Sequence, residues 1–248
     1  MSSLSLVTWN LFGLEPFQLD VRTEAACTSL LLEDPPDIVC FQEVIDRTLI
    51  AHLRPHFSHA GYAHVVQPAT TEYTCAVFVR TPLVLQTAGV CPFPSSQMGR
   101  ALLEATVDWH GQPLLILTAH MESLKEGSKA RKEQLEQIVE RMEAHPGPAL
   151  FAGDTNLRDA EVDPATLGTV RDAWDVAGTA ATRFTWRPWK GSARARFDRV
   201  FLSPHWTCTS FTLGNGALLD GAGVPISDHR QVRVSLQAET SDTASSTP

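Results

Sequence analysis

The sequence predicts an α/β fold, a four-layer sandwich in which two stacked mixed β-sheets are flanked by helices. Three observations carry the prediction. Many short apolar runs have the length and β-branched content of strands, with turn residues between them. Some of these runs follow one another as hairpins, whereas others are separated by helical patterns. Across 248 residues there is no tandem repeat and no linker-like break. Residues 1–237 are therefore expected to form one domain, and the polar tail 238–248, "AETSDTASSTP", is expected to be disordered.

Taken in order, "LSLVTWN" alternates and reads as a strand near the first residue. "DVRTEAACTSLLLED" places Ala26, Cys27, Leu30 and Leu31 on one helical face, and "DPPD" stops it. "DIVCFQEV" is a continuous apolar run of the kind buried on both faces. A shorter helix is expected around "RTLIAHLRPHF", followed by the strands "YAHVVQP", "YTCAVFVR", "LVLQTAGVCPF", "RALLEATVDW" and "PLLILTAHM". Residues 128–145 are the clearest helix, with Ser128 as cap, Leu135, Ile138, Val139 and Met142 as inner stripe, and "HPG" as stop. "ALFAGD", "RFDRVFL", "TCTSFTL" and "QVRVSLQ" complete the strands.

Composition excludes several classes. With 43% apolar and 19% charged residues the chain can build a sizeable core. A formal charge of −8 argues against indiscriminate coating of nucleic acid and leaves only a local basic surface for such contacts. The five cysteines are scattered, odd in number and lack C-x-x-C spacing, and Cys40 and Cys75 lie in apolar runs; a reducing compartment and no zinc site are expected. No signal-peptide pattern and no membrane-length apolar stretch stand out, so a soluble intracellular protein is expected.

Polar groups gather at strand ends. Asn10 follows "LVTW", Glu43 follows "IVCFQ", His120 follows "LLILTA", Asp154 and Asn156 follow "LFAG", and "ISDHRQV" offers Asp228 and His229 at the start of a strand. Strand-end loops are where a rigid α/β scaffold presents functional groups. Each residue alone has a plain explanation. "GDTN" is turn vocabulary, Asn10 suits an Asx-turn, and Asp198 in "RFDRVF" has Arg196 and Arg199 as neighbours to pair with. The combination weighs against those readings.

T-W-N, then Q-E, then a strand-end His, then G-D-x-N, then S-D-H resembles the endonuclease/exonuclease/phosphatase superfamily in order and spacing along nearly the whole chain. "FQEV", "FPSSQMGRALL", "TAHMES", "FAGDTNLRD", "FTW", "RFDRVF" and "SDH" are most similar to its branch acting on 5′-phosphotyrosyl DNA ends. The resemblance implies an Mg2+-dependent phosphodiesterase, with Mn2+ as a possible substitute. Glu43 is the natural metal ligand, with Asn10 supporting through its carbonyl oxygen or by orienting Glu43, and Asp228 near the ion. Asp154 would orient and deprotonate the attacking water, and Asn156 would hold that water or a phosphate oxygen. His229 would stabilise the developing charge, with Asp198 fixing its tautomer. His120, Ser123 and Arg158 match phosphate-contacting positions, and Tyr73 and Trp186 match DNA-groove positions.

The stretch 183–199, "RFTWRPWKGSARARFDR", supplies a local basic surface: Arg183, Arg187, Lys190, Arg194, Arg196 and Arg199 alternate with Phe184, Trp186, Trp189 and Phe197. "LKEGSKARK" reads as an exposed helix start. The expected partner is a DNA 5′ end carrying a tyrosyl adduct, single-stranded in preference to blunt duplex, acted on by a monomer away from membranes. One departure stands out. The family pattern that the chain resembles usually has an aspartate two residues beyond the T-W-N asparagine (N-x-D-G); this chain has Phe12 there, so weaker metal binding is expected. The alternatives are another enzyme of the same fold, such as an abasic-site endonuclease, an RNA phosphodiesterase or a sugar or lipid phosphatase, and a DNA-binding relative with weakened catalysis.

Overall fold

A computed structural model describes residues 2–32, 34–68, 72–214, 219 and 223–238. The first sheet contains β1 (Ser3–Asn10), β2 (Ile38–Val44), β3 (Tyr62–Val66), β4 (Thr74–Arg80), β11 (Trp206–Leu213) and β12 (Val232–Ala238), in the order β11-β12-β1-β2-β4-β3. The second contains β5 (Val84–Pro92), β6 (Ala101–Trp109), β7 (Gln112–Thr118), β8 (Ala149–Asp154), β9 (Arg171–Asp172) and β10 (Asp198–Leu202), in the order β5-β6-β7-β8-β10-β9. Each is mixed: β1 and β2 run parallel, as do β7 and β8, and the other pairs are antiparallel.

Period-two patterning explains both the core and the site. Leu4 and Leu6 of β1, Ile38 and Cys40 of β2, Leu114 and Ile116 of β7, Leu150 and Ala152 of β8, and Val200 and Leu202 of β10 all enter the layer between the sheets. Continuing the same alternation puts Thr8, Asn10, Gln42, Thr118, Asp154 and Asp198 on that inner face, where it turns from apolar to polar at one end of the sandwich. Gln42 ties this rim together: its amide donates to Thr8 Oγ1 on the same sheet at 3.1 Å and to Thr118 Oγ1 on the facing sheet at 3.0 Å. Buried amide and hydroxyl groups need such partners.

The alternate residues face outward into helices. Val7, Val39, Phe41 and Phe78 pack with Ala26, Cys27 and Leu30 of α1 (Leu19–Leu31) and with Leu53 and Phe57. The last two belong to an irregular run formed by α2 (Asp46–Thr48), a π turn (Leu49–Leu53) and α3 (Arg54–His59). Over the second sheet, Leu135, Ile138, Val139 and Met142 of α4 (Ser128–Ala144) cover Leu115, Leu117 and Phe151. Each such buried side chain contributes about 1.5–3 kcal/mol of transfer free energy. Two short helices, α5 (Pro164–Leu167) and α6 (Ala173–Ala177), lie within the connection from β8 to β10.

The fold class is therefore as expected, and three details differ. Ser128 is the first helical residue of α4 instead of its cap; Gly127 takes the cap position without a side-chain bond. Its near neighbour Arg131 is fully buried, not exposed: it donates to the carbonyls of Glu122, Ser123 and Leu124 and pairs with Glu161 at 2.7 Å. Ala238 closes β12, while the rest of the expected tail, 239–248, lies outside the described residues. All five cysteines are free thiols, four of them buried.

Candidate active site

The polar rim converges on Asp154. Its Oδ2 accepts a hydrogen bond from Asn10 Nδ2 at 2.9 Å and lies 3.3 Å from His120 Nε2 and 3.7 Å from His229 Nε2. Its Oδ1 accepts from the Asn156 backbone N–H at 3.1 Å, an Asx-turn that the left-handed Asn156 (φ 52°) completes. The turn and the polar cluster are thus one feature. Gly153 permits the close passage of β8, since a Cβ there would lie 2.4 Å from the Ala119 carbonyl oxygen.

Glu43 reaches the same centre through a break in the pattern. Alternation in β2 would turn it outward, but the register shifts between Phe41 and Val44 and Glu43 takes φ 54°. Its carboxylate then meets Asn10 Nδ2 at 3.2 Å. The same amide group therefore holds both Glu43 and Asp154, and Asn10 Oδ1 accepts from the Phe12 N–H at 2.9 Å. Asn10 thus meets Glu43 through its amide N–H, while its carbonyl oxygen is taken up by the Phe12 N–H. Gly13 completes the approach: a Cβ there would overlap the Glu43 carbonyl oxygen at 1.9 Å.

His229 is anchored from several directions. Its Nδ1 is 2.8 Å from Asp198 Oδ2, and its backbone N–H donates to Ser227 Oγ, whose hydroxyl donates to the Asn10 carbonyl. It precedes β12, pairing as an isolated bridge with Trp186. Burial disfavours a charged ring, but the Asp198 and Asp154 carboxylates outweigh it and raise the His229 pKa to about 10, so the ring is an imidazolium at neutral pH. Burial dominates at His120 instead, pushing its pKa down to about 3 against the pull of Asp154. His120 is a neutral ring whose Nδ1 is buried without a hydrogen-bond partner.

Asp228 faces this group from the other side. Burial, with the nearby carboxylates of Glu43 and Asp154, raises its pKa, although His229 and a bond from Trp186 oppose the rise. Trp186 Nε1 donates to its Oδ2 at 2.8 Å, whereas Oδ1 is buried and unpartnered. Asp154, Asp198 and His229 each offer one atom within a 4.8 Å cluster. Within that trio the His229 Nδ1 and Asp198 Oδ2 atoms are already engaged with each other at 2.8 Å.

The outer positions divide. Ser123 Oγ accepts from Asn156 Nδ2 at 3.3 Å and from Arg100 Nη2 at 3.0 Å. Arg100, whose guanidinium also lies 5.0 Å from the Tyr73 ring centroid, went unnoticed in the sequence although it sits in "FPSSQMGRALL". Tyr73 stands 5.6 Å from the His120 ring. Arg158 lies over the Phe197 ring at 5.5 Å, and Phe197 in turn packs on Trp186 at 5.3 Å. Arg196 is a correction. Its guanidinium is buried against Asp172 at 2.9 Å and Asp159 at 3.1 Å, with Arg199 on the same two acids, so it forms an internal ion-pair network where an exposed cation was expected. Arg183 also pairs with Asp159. Arg187, Lys190 and Arg194 remain exposed, and Asp198 binds His229 and neither arginine.

Phe12 has its own environment. In the left-handed region (φ 52°), it sets its ring edge-on to Trp189 at 5.2 Å, with the buried Arg22 guanidinium 5.7 Å from its centroid. Where the resemblance leads one to expect a carboxylate, this chain places a ring that joins the N-terminal strand end to the 183–199 loop.

Two stacked mixed sheets with carboxylates, amides and an Asp-paired imidazolium at one end of the seam define a class. The chain belongs to the endonuclease/exonuclease/phosphatase family, whose model matches residues 7–229. It is similar to tyrosyl-DNA phosphodiesterase 2 of Danio rerio, 35% identical over 234 residues, which cover 88% of this chain and 61% of the relative. The Homo sapiens tyrosyl-DNA phosphodiesterase 2 is 31% identical over 217 residues, covering 81% and 58%. The crystal structure of D. rerio TDP2 complexed with single strand DNA product matches with a TM-score of 0.86 and 30% identity, covering 96% of this chain and all of that one. This chain spans about three fifths of the length of the curated relatives it matches.

Proposed function

We propose that the chain is a magnesium-dependent phosphodiesterase that hydrolyses 5′-phosphotyrosyl DNA linkages and leaves a 5′-phosphate. The observation that carries this reading is the single amide of Asn10 fixing Glu43 and Asp154 together, with the His229–Asp198 pair on the far side of Asp154. The likeness to tyrosyl-DNA phosphodiesterase 2 proteins supports the choice of substrate.

The residues fit a magnesium ion. The carboxylates of Glu43, Asp154 and Asp228 repel one another, and Asp228 Oδ1 is a buried oxygen without a hydrogen-bond partner, 3.9 Å from His229 Nε2. Hard oxygen donors with few protein ligands suit Mg2+, and Mn2+ can substitute. Glu43 and Asp228 would hold the ion, which when bound neutralises charge on the phosphoryl oxygens.

The chain's own groups supply the rest. Asp154 accepts a proton from the attacking water; Asn10 and the Asn156 N–H keep its carboxylate in place. Asn156 holds that water or a phosphate oxygen. His229 donates from Nε2 to a non-bridging oxygen, a preorganised positive donor aimed at developing charge. Asp198 holds its tautomer and charge. His120 keeps Nε2 toward Asp154 and Nδ1 toward Glu43, bridging the two carboxylates. The leaving group needs little help, because a phenol of pKa about 10 departs as phenolate without a strong acid. Among the described residues every acid at the site already has a role.

Ser123, Arg158, Tyr73 and Trp186 would line the path of the DNA end, with Arg187, Lys190 and Arg194 as its exposed cations and aromatic faces for unpaired bases. No helix among the described residues is long and apolar enough to cross a membrane. The test is a panel of matched 5′-phosphotyrosyl, 3′-phosphotyrosyl and abasic oligonucleotides with and without MgCl2. The proposal requires fastest turnover of the 5′-phosphotyrosyl substrate, only with magnesium. Faster incision at the abasic site would assign the chain to another activity of its family.

A further inference from the structure

A second group of potential ligands lies in the helical layer over the first sheet and shares no residue with the cleft. Glu24 of α1 faces His52 and His56 of the π turn and α3. His52 Nδ1 and His56 Nε2 stand 3.0 and 2.9 Å from one and the same oxygen, Glu24 Oε2. One ligand atom from each of the three residues fits within a 4.8 Å cluster. The sequence origin is simple: four residues apart on a helical run, the two imidazoles project from one face, and α1 brings the carboxylate across to them.

We propose that Glu24, His52 and His56 form a binding site for one divalent transition-metal ion of the zinc type. Around a tetrahedral ion with bonds of roughly 2.0–2.1 Å, neighbouring ligand atoms stand about 3.3 Å apart. The observed separations reach that spacing with small side-chain rotations. Two imidazoles and one carboxylate select zinc or its neighbours over magnesium, which prefers an all-oxygen shell.

The surroundings supply an independent argument. The other nitrogen of His52, Nε2, lies 3.4 Å from Asp20 Oδ1, and Asp20 is in turn held by Arg47. A metal-ligating histidine characteristically donates its remaining N–H to a carboxylate, which fixes its tautomer and orientation. Both ring nitrogens of His52 thus face carboxylates, Nδ1 toward Glu24 and Nε2 toward Asp20, the arrangement a metal-bound imidazole and its supporting carboxylate require. Partial exposure of the side chains, 19% for His52, 40% for His56 and 46% for Glu24, leaves an entry path and room for water as a fourth ligand. The bound ion would cross-link α1 to the helical run after β2.

The experiment uses the whole chain, stripped with a chelator and returned to buffer with excess MgCl2. ZnCl2 is added alone for equilibrium dialysis with metal analysis, and CoCl2 for visible spectroscopy, where tetrahedral cobalt absorbs strongly. The proposal requires one zinc equivalent that survives Glu43→Gln and is lost in the His52→Ala/His56→Ala double variant. It also requires a zinc-dependent rise in Tm in the unsubstituted chain but not in the double variant. His56→Gln, at a half-buried position, should lose the cobalt band while circular dichroism shows an intact fold. Asp20→Asn should weaken zinc by about 10–100-fold. Equal zinc binding by the unsubstituted and double-variant chains, loss of zinc with Glu43→Gln alone, or no zinc retained at all would overturn the site.

Discussion

His229 and Asp198 come from segments that are 31 residues apart, yet Nδ1 and Oδ2 meet at 2.8 Å and both side chains are buried. Asp198 is the inner-face end of β10, and His229 is held by Ser227 against the end of β1. This bond determines both the tautomer and the charge of the ring that faces Asp154. Asp198→Asn keeps the shape and removes the charge, so kcat should fall by roughly 10²-fold or more while the fold persists. Steady-state kinetics beside circular dichroism checks this. Unchanged kcat in a folded variant would remove His229 from the chemistry.

Trp186 separates bracing from stacking. Trp186→Phe keeps an aromatic face but deletes the N–H that holds Asp228, so the magnesium requirement should rise while DNA affinity stays near that of the unsubstituted chain. Trp186→Ala should in addition weaken single-stranded DNA binding by about 1–3 kcal/mol if a base stacks there. Fluorescence anisotropy with a 5′-labelled oligonucleotide, together with magnesium titrations of activity, distinguishes the two effects. Unchanged DNA affinity and unchanged magnesium requirement in both variants would assign Trp186 a packing role only.

Phe12→Asp tests the departure from the relatives. The ring contact with Trp189 would be lost, and the new carboxylate would lie near the Arg22 guanidinium. Aspartate tolerates the left-handed backbone better than phenylalanine does. An ion pair with Arg22 predicts an unchanged magnesium concentration for half-maximal activity. A clear decrease would show that position 12 faces the ion and that Phe12 weakens its binding.

Acid stability follows from the Arg131–Glu161 pair. Burial raises the Glu161 pKa, but bonds from Arg131 and Ser128 outweigh it and bring it to about 2, below its ordinary 4.5. A carboxylate depressed in the folded state stabilises above its unfolded pKa, and that contribution is lost as pH falls from 4.5 toward 2. Denaturant midpoints measured across that window should decline, and Glu161→Gln should flatten the decline. An equally steep decline in the variant would place the acid sensitivity elsewhere.

How much of this was legible in the sequence depends on the range of the interaction. Strand alternation is local, so the inner-face positions of Asn10, Asp154 and Asp198 could be anticipated. Pairing choices are not local. Arg196 and Arg199 of "RARFDR" turn to Asp159 and Asp172, which lie 24 to 40 residues away, and nothing in the stretch itself indicates this. Arg131 looks like one more surface cation in "SKARK" until the loop of Glu122, Ser123 and Leu124 wraps around it. Glu43 required a bulge to enter the site, a backbone event that a strand pattern does not reveal. Arg100 lacked any signal beyond its place in a family-like stretch, because its partners Tyr73 and Ser123 come from two other segments.

The central claim is that Asp154, held by Asn10, activates water to release tyrosine from a DNA 5′ end. Single-turnover release of tyrosine from a short 5′-phosphotyrosyl oligonucleotide, followed with excess protein and saturating MgCl2, tests it most directly. The unsubstituted chain should liberate tyrosine and leave a 5′-phosphate, and Asp154→Asn should slow that step by roughly 10²–10⁴-fold while still binding the oligonucleotide. No tyrosine release by the unsubstituted chain, or near-equal rates in the folded Asp154→Asn variant, would contradict the account.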